Sequence, residues 1–201
     1  MVINFFGQTS IRIQGNGSSL LFNPVESSSG LKPTRQQNDV VIYSQKPADK
    51  VKKDNTFVID SPGEYEIKGV FVYGLPVDSG ETNIIYTIEY EGIRLAHLGL
   101  TKQTKFTEKQ LERLQGIDIL VVPVGGGEAL EAKQAAEIIN QLEPRVVIPV
   151  NYQLSGLKDK VESVDKFKKE IGGSFEKLDK LKIAKKDLPE EEARFVILDL
   201  S

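Results

Sequence analysis

One histidine and no cysteine among 201 residues limit the chemistry this chain can do. A hydrolytic zinc site takes about three His, Cys, Asp or Glu ligands plus an open position for water. Here carboxylates and amides would have to supply almost every donor. The segment Ser44-Gln45-Lys46-Pro47-Ala48-Asp49-Lys50 follows the apolar run Val40-Val41-Ile42-Tyr43, where a buried strand empties into a loop. Gln45 is a weak neutral ligand for a borderline metal and Pro47 has no donor. The Lys50 ammonium competes with a cation for the same space. Positive charge suits a carboxylate or phosphate instead, which makes Lys46 and Lys50 the candidate anion-binding residues, with Lys52 and Lys53 close in sequence. The alternative is a solvated basic loop.

Three further features invite functional readings. His97, in Arg94-Leu95-Ala96-His97-Leu98-Gly99, ends a predicted buried strand and reads as a structural histidine bonded to backbone or a loop carboxylate. Gly125-Gly126-Gly127 lacks both the Lys-Ser/Thr of a P-loop and the spaced glycines of a dinucleotide fingerprint, so a tight strand-to-helix turn is expected. Residues 158–186 carry ten lysines interleaved with six acidic residues, no arginine, and only Phe167 and Phe175 as stacking rings. That pattern reads as a solvated helix with Val161, Val164, Phe167, Lys168 and Ile171 on its core-facing stripe, rather than as an RNA surface.

The elements that must position these residues are β-rich first and mixed later. Strands are predicted at 2–6, 10–14, 19–23, 39–43, 56–60, 69–75, 83–90 and 92–98, from β-branched and aromatic runs broken by Gly, Pro, Asn and Ser. Asn16-Gly17 and Glu91-Gly92 are the expected hairpin turns. Thr107 with Gln110 reads as a capping box opening a helix over 107–115. A strand at 118–124, a helix at 131–142, a strand at 145–150, a helix at 162–171 and a strand at 193–200 follow. Strands first and α/β units after them imply two sheets packed together with helices outside.

Composition adds independent limits. A chain with 39% hydrophobic and 27% charged residues can bury a sizeable core, most simply as one domain over 1–201. No apolar run approaches the roughly 18 residues of a membrane span, and no basic-then-apolar leader opens the chain, so a cytosolic location is expected. Without cysteine there is no disulfide or thiol chemistry. A net charge of -3 offers no global attraction to nucleic acid.

Six short motifs, in order, carry a resemblance over nearly the whole chain. They are Phe6-Gly7-Gln8-Thr9-Ser10-Ile11-Arg12-Ile13, Leu20-Leu21-Phe22-Asn23-Pro24, the segment Pro62 to Val70, His97-Leu98-Gly99-Leu100, Val122-Pro123-Val124-Gly125-Gly126 and Ile148-Pro149-Val150-Asn151-Tyr152. Together with the 44–50 loop they resemble the metallo-β-lactamase superfamily, in its single-domain, lactonase-like branch of metal-dependent hydrolases. The resemblance implies an α/β fold, an αββα sandwich of two mixed sheets, and a dinuclear zinc site built on Thr-His-x-His-x-Asp-His. It also implies that the family's ligand positions here hold Gln8, Gln45, Pro47, Lys50, Leu100 and Asn151, with Asn23 in place of an aspartate. Asp49 matches the motif's aspartate, and Asp78 falls near another ligand place. The implied vestigial pocket is therefore Gln8, Ser44, Gln45, Pro47, Asp49, Lys50, Asp78, Leu100 and Asn151, with no catalytic residue and no zinc. Asp49 and Asp78 with Gln8, Gln45 and Asn151 leave Mg²⁺ or Ca²⁺ at an all-oxygen site as the lesser alternative, since two carboxylates are few for a hard cation. No cofactor is expected. The reading is a binding or regulatory protein for a small anionic molecule or a protein partner, against a hydrolase with another metal or a relocated site, or a structural oligomer.

Overall fold

The computed structural model describes residues 1–34, 37–47, 55–77 and 83–201. In chain order its elements are β1 (Val2–Gly7), β2 (Ser10–Gly15), β3 (Ser18–Phe22), β4 (Val40–Ile42), β5 (Phe57–Ile59), β6 (Gly63–Ile67), β7 (Val70–Pro76), β8 (Ile84–Tyr90) and β9 (Ile93–His97). Then come α1 (Glu108–Leu114), β10 (Ile119–Pro123), α2 (Ala132–Leu142), β11 (Val146–Val150), α3 (Val164–Ile171), β12 (Phe175–Leu178), β13 (Leu181–Lys182) and β14 (Arg194–Leu198).

These strands form two mixed sheets. One has the order β13-β1-β2-β3-β4-β5, the other β12-β14-β11-β10-β9-β8-β7-β6. In the first, β1, β2 and β3 pair antiparallel and β3, β4 and β5 pair parallel. In the second, β6 to β9 form an antiparallel meander, and β9, β10, β11, β14 and β12 run parallel. The sequence dictates this division. In β2, buried Ile11 and Ile13 alternate with more exposed Arg12 and Gln14, the period of a strand with one face in the core. All five residues of β10 are buried, as in a central parallel strand covered on both faces. The β11–β14 ladder ends at Val147, two residues before Pro149, which has no N–H to give it. Glu91 and Gly92, at φ 54 and 74, supply the two left-handed residues of a tight hairpin turn between β8 and β9.

The helices start where their caps stand. Thr107 and Gln110 exchange both bonds of a capping box at α1. Ser163 accepts from the Asp165 N–H at the start of α3. The buried face of α2 (Ala132, Ala135, Ile138, Ile139, Leu142) joins the main core, and buried Phe167 of α3 meets the rings of Phe175 and Phe195. Outside the six-stranded sheet, Phe6, Leu21, Val25, Leu31, Val41, Tyr43 and Leu157 form a smaller second core. It is covered by the loops before β4 and after β11, which meet through the Lys158 N–H and the Ser29 carbonyl (2.9 Å).

Two stretches depart from the sequence reading. Within 158–186 the helix is confined to Val164–Ile171, and Gly172-Gly173, both at positive φ, turn the chain into β12 and then β13. The Gly63–Ile67 motif is itself a strand at the edge of the larger sheet. Among the described residues no helix is long and apolar enough to cross a membrane.

Candidate functional site

Several strands deliver their carboxyl ends to one rim. Gln8 follows β1, Asn23 follows β3, Ser44 to Pro47 follow β4, Leu100 lies three residues past β9, and Asn151 follows β11. A cavity of about 420 Å³ opens there. Gln8, Ser44, Gln45, Lys46, Pro47 and Leu100 line it, so most of the expected pocket residues are brought together. Asn151 is buried and gives its backbone N–H to the Gln8 carbonyl (2.7 Å), but it is not on the cavity wall. Asp49, Lys50 and Asp78 lie outside the described residues.

The backbone at this rim is under tension. Gln8, Asn23 and Asn151 sit at φ 50, 43 and 53, in the left-handed region that costs an ordinary L-residue about 1–2 kcal/mol. Asn tolerates this region through local hydrogen bonds, whereas Gln has no such compensation. The fold holds these turns by cross-links. The Asn23 amide donates to Thr9 Oγ1 (3.0 Å) and Ser44 Oγ (3.2 Å), and its Oδ1 accepts from the Ser44 N–H (2.7 Å). Ile84 N–H donates to the Ser44 carbonyl (2.7 Å), joining the two sheets at the cavity wall. Gly99 permits the close approach below: a Cβ there would lie 2.3 Å from Asn83 Oδ1 and 2.6 Å from Ser44 Cβ. Gly125 does the same beside Asn151, where a Cβ would meet the carbonyl oxygen at 2.1 Å, and Gly126 and Gly127, at positive φ, complete the strand-to-helix turn.

His97 is structural, as its sequence setting implies. It is fully buried, its Nδ1 accepts from the Gly99 N–H (3.1 Å), and its Nε2 lies 2.9 Å from the Thr9 carbonyl. A nitrogen that accepts from an amide carries no hydrogen, so the proton is on Nε2, which donates to Thr9. Burial pushes the imidazole pKa down to about 4, and the ring is neutral at neutral pH. Both nitrogens are used, which leaves no lone pair for a metal. Among the described residues no three His, Asp or Glu side chains are grouped to hold a metal ion.

A family model described as a β-lactamase superfamily domain matches residues 2–151. The chain belongs to the metallo-β-lactamase superfamily. Among solved structures, a Thermotoga maritima member of the superfamily described as a Zn-dependent hydrolase is 32% identical, with a TM-score of 0.83 and 98% of each chain covered. A metallo-β-lactamase fold protein from Bacillus subtilis, 11% identical, shares the fold with a TM-score of 0.63 over 100% of this chain and 95% of its own. A metal-dependent hydrolase of Thermococcus onnurineus is 32% identical over 98 residues, 45% of this chain and 44% of the relative. The chain thus spans less than half the length of that curated relative.

Within this superfamily fold the cavity also contains residues the sequence did not single out. Asp159, in the loop after β11, accepts from Gln8 Nε2 (2.7 Å) across 151 positions of sequence. Glu26, Ser28 and Ser29 come from the loop after β3, where a short 3₁₀ turn spans Ser27–Ser29. Their one sequence signal is position, since each lies in a loop following a strand that ends at the rim.

Proposed function

We propose that this superfamily member is a non-catalytic protein that binds a small polar molecule in the cavity at the strand ends. The observation that carries this reading is the donor set on that wall. Gln8, Gln45, Asn23, Ser44 and Thr9 offer neutral amides and hydroxyls, Pro47 and Leu100 offer none, and the chain's single histidine has both nitrogens engaged. Zinc hydrolysis needs imidazole, thiolate or carboxylate ligands around an open position, and these residues do not fit that ion. They do fit a polar ligand, because the volume lies within the roughly 300–1,000 Å³ of small-molecule pockets and polar groups converge on it. The Asn23 cross-links and the Gly99 approach hold those groups in place before any ligand arrives, which lowers the ordering cost of binding.

A second reading has its own support. The Thermotoga and Thermococcus relatives are described as hydrolases dependent on zinc or metal, and Asp159 and Glu26 place two carboxylates on the wall. A hydrolase with a relocated metal would use them.

Native mass spectrometry of protein purified without chelator separates the two readings. The binding reading expects a chain free of stoichiometric metal that shifts in mass with a small organic ligand. One metal ion per chain, lost in Asp159→Ala together with esterase or lactonase turnover, would establish the hydrolase.

A further inference from the structure

The charges on the cavity wall point to the class of molecule it takes. Among the described residues the lining carries two carboxylates, Glu26 and Asp159, against one cation, Lys46. Neither carboxylate is paired with a described lysine or arginine. Asp159 receives the Gln8 amide on Oδ2 at 2.7 Å, and Glu26 receives the Ser28 hydroxyl on Oε2 at 3.4 Å. An ionised carboxylate has about four lone-pair sites on its two oxygens, so each retains acceptor capacity toward the cavity. Both belong to loops that are tied together, since the Lys158 N–H, next to Asp159 in sequence, donates to the carbonyl of Ser29, in the same loop as Glu26, at 2.9 Å. The carboxylates therefore come from adjoining loops. The segments after β1 and β4 bring the amides of Gln8 and Gln45 and the hydroxyls of Thr9 and Ser44 to the same cavity, with Gln8 bridging to Asp159.

This set of groups has a chemical reading. Among the described residues, a phosphate or carboxylate entering the cavity would meet two carboxylates, which repel it and donate nothing to it, against the single ammonium of Lys46. A protonated amine would donate to both carboxylates through charge-assisted hydrogen bonds, the stronger kind. Hydroxyl groups on the same molecule would both donate to and accept from the amide and hydroxyl groups, because amides and hydroxyls serve in either role. We propose that the cavity selects a small polyhydroxylated amine. This rests on the binding reading above and names the ligand class within it.

Three hexoses of the same scaffold test the inference: D-glucosamine, neutral D-glucose and D-glucose 6-phosphate. Side-chain amide NMR signals of Gln8, Gln45 and Asn23 report cavity occupancy whatever the probe. Glucosamine should bind about tenfold tighter than glucose, the gain expected of two partly exposed charge pairs, and the preference should shrink with added salt. Glucose 6-phosphate should be the weakest of the three. Asp159→Asn keeps an acceptor for Gln8 and removes the charge, so it should weaken glucosamine more than glucose and reduce the amine preference to about threefold. Tightest binding by the phosphate, or an amine preference unmoved in Asp159→Asn, overturns the ligand class. A pooled library of polar metabolites, read on the same three amides, tests the underlying reading separately. Shifts from the pool with none from the hexoses overturn only the ligand class, and silence from both overturns the binding reading as well.

Discussion

His97 and Phe22 lie face to face, with ring centroids 4.7 Å apart and planes 5° from parallel. They are the last residues of β9 and β3, so their contact fastens the two sheets together where the cavity begins. A neutral imidazole suits this place, and a charged one does not. The folded-state pKa of about 4 lies below the ordinary 6.5, so between these values the unfolded chain binds more protons than the folded one. Stability from this group is complete above about pH 6.5 and is lost as pH falls toward about 4. Urea unfolding should therefore show a loss of about 2 kcal/mol between about pH 7.5 and about pH 5. In His97→Gln the protein should be weaker at every pH but lack that slope. An unaltered slope in the variant would place the proton uptake elsewhere.

Gly99 and Gly17 make a matched pair for testing how tightly the cavity floor is packed. Both have positive φ, 63 and 85, but a Cβ at Gly17 meets nothing within 4 Å, whereas one at Gly99 would overlap Asn83 and Ser44. Gly17→Ala should cost about 1 kcal/mol, the left-handed backbone alone. Gly99→Ala should cost about 3 kcal/mol or more, because Asn83 must also release the Leu100 N–H and Leu98 carbonyl it holds at 2.9 Å each. Equal denaturation midpoints for the two variants would mean that the floor yields easily.

Most strands of the two sheets and the capping box at Thr107 were legible because their signals are local: a period of two, a continuous apolar run, a Thr-x-x-Gln spacing. The edge strand β6 was not, since Glu64 and Glu66 are exposed and only Tyr65 and Ile67 turn inward, too few to mark a period. β12 and β13 hide in a charge-interleaved stretch whose apolar residues are spaced for a helix only as far as Ile171. The site was half legible for a similar reason. Gln8, Gln45, Pro47 and Leu100 stand in motifs, so their convergence was implied, whereas Asp159 looks like any solvated aspartate until the fold carries it to Gln8.

Asn23 is the cross-link whose loss should be felt most at the rim. Three hydrogen bonds and a left-handed backbone depend on its amide. Asn23→Ala should destabilise by about 2–3 kcal/mol, from two or three net hydrogen bonds and the poorer fit of alanine at positive φ. Asn23→Asp should cost under about 1 kcal/mol, because the Thr9 and Ser44 hydroxyls can rotate to donate to the carboxylate and the Ser44 N–H keeps its acceptor. Thermal melts of the two variants check this ordering. A carboxylate variant as weak as alanine would show that the hydroxyls are fixed as acceptors.

The metal question has a direct test in the ligand positions themselves. If the core rather than a metal stabilises the sandwich, melting curves with and without a strong chelator should overlay, unlike those of small domains that unfold when zinc is withdrawn. Changing Gln45→His, Pro47→His, Lys50→His and Leu100→Asp together resupplies imidazole and carboxylate ligands and removes an ammonium. Gln45, Pro47 and Leu100 already face one cavity, so the combined variant should retain about one zinc ion per chain after dialysis while the parent retains far less. Hydrolysis need not accompany the metal, because the partners that orient ligand imidazoles must also be present. Asn151→His is left out of the set, since Asn151 is buried off the wall and an imidazole there would have to displace core packing. A parent that already holds zinc at full occupancy, with a melting temperature that falls on chelation, would overturn the non-catalytic reading and make Asp159 and Glu26 the first ligands to mutate.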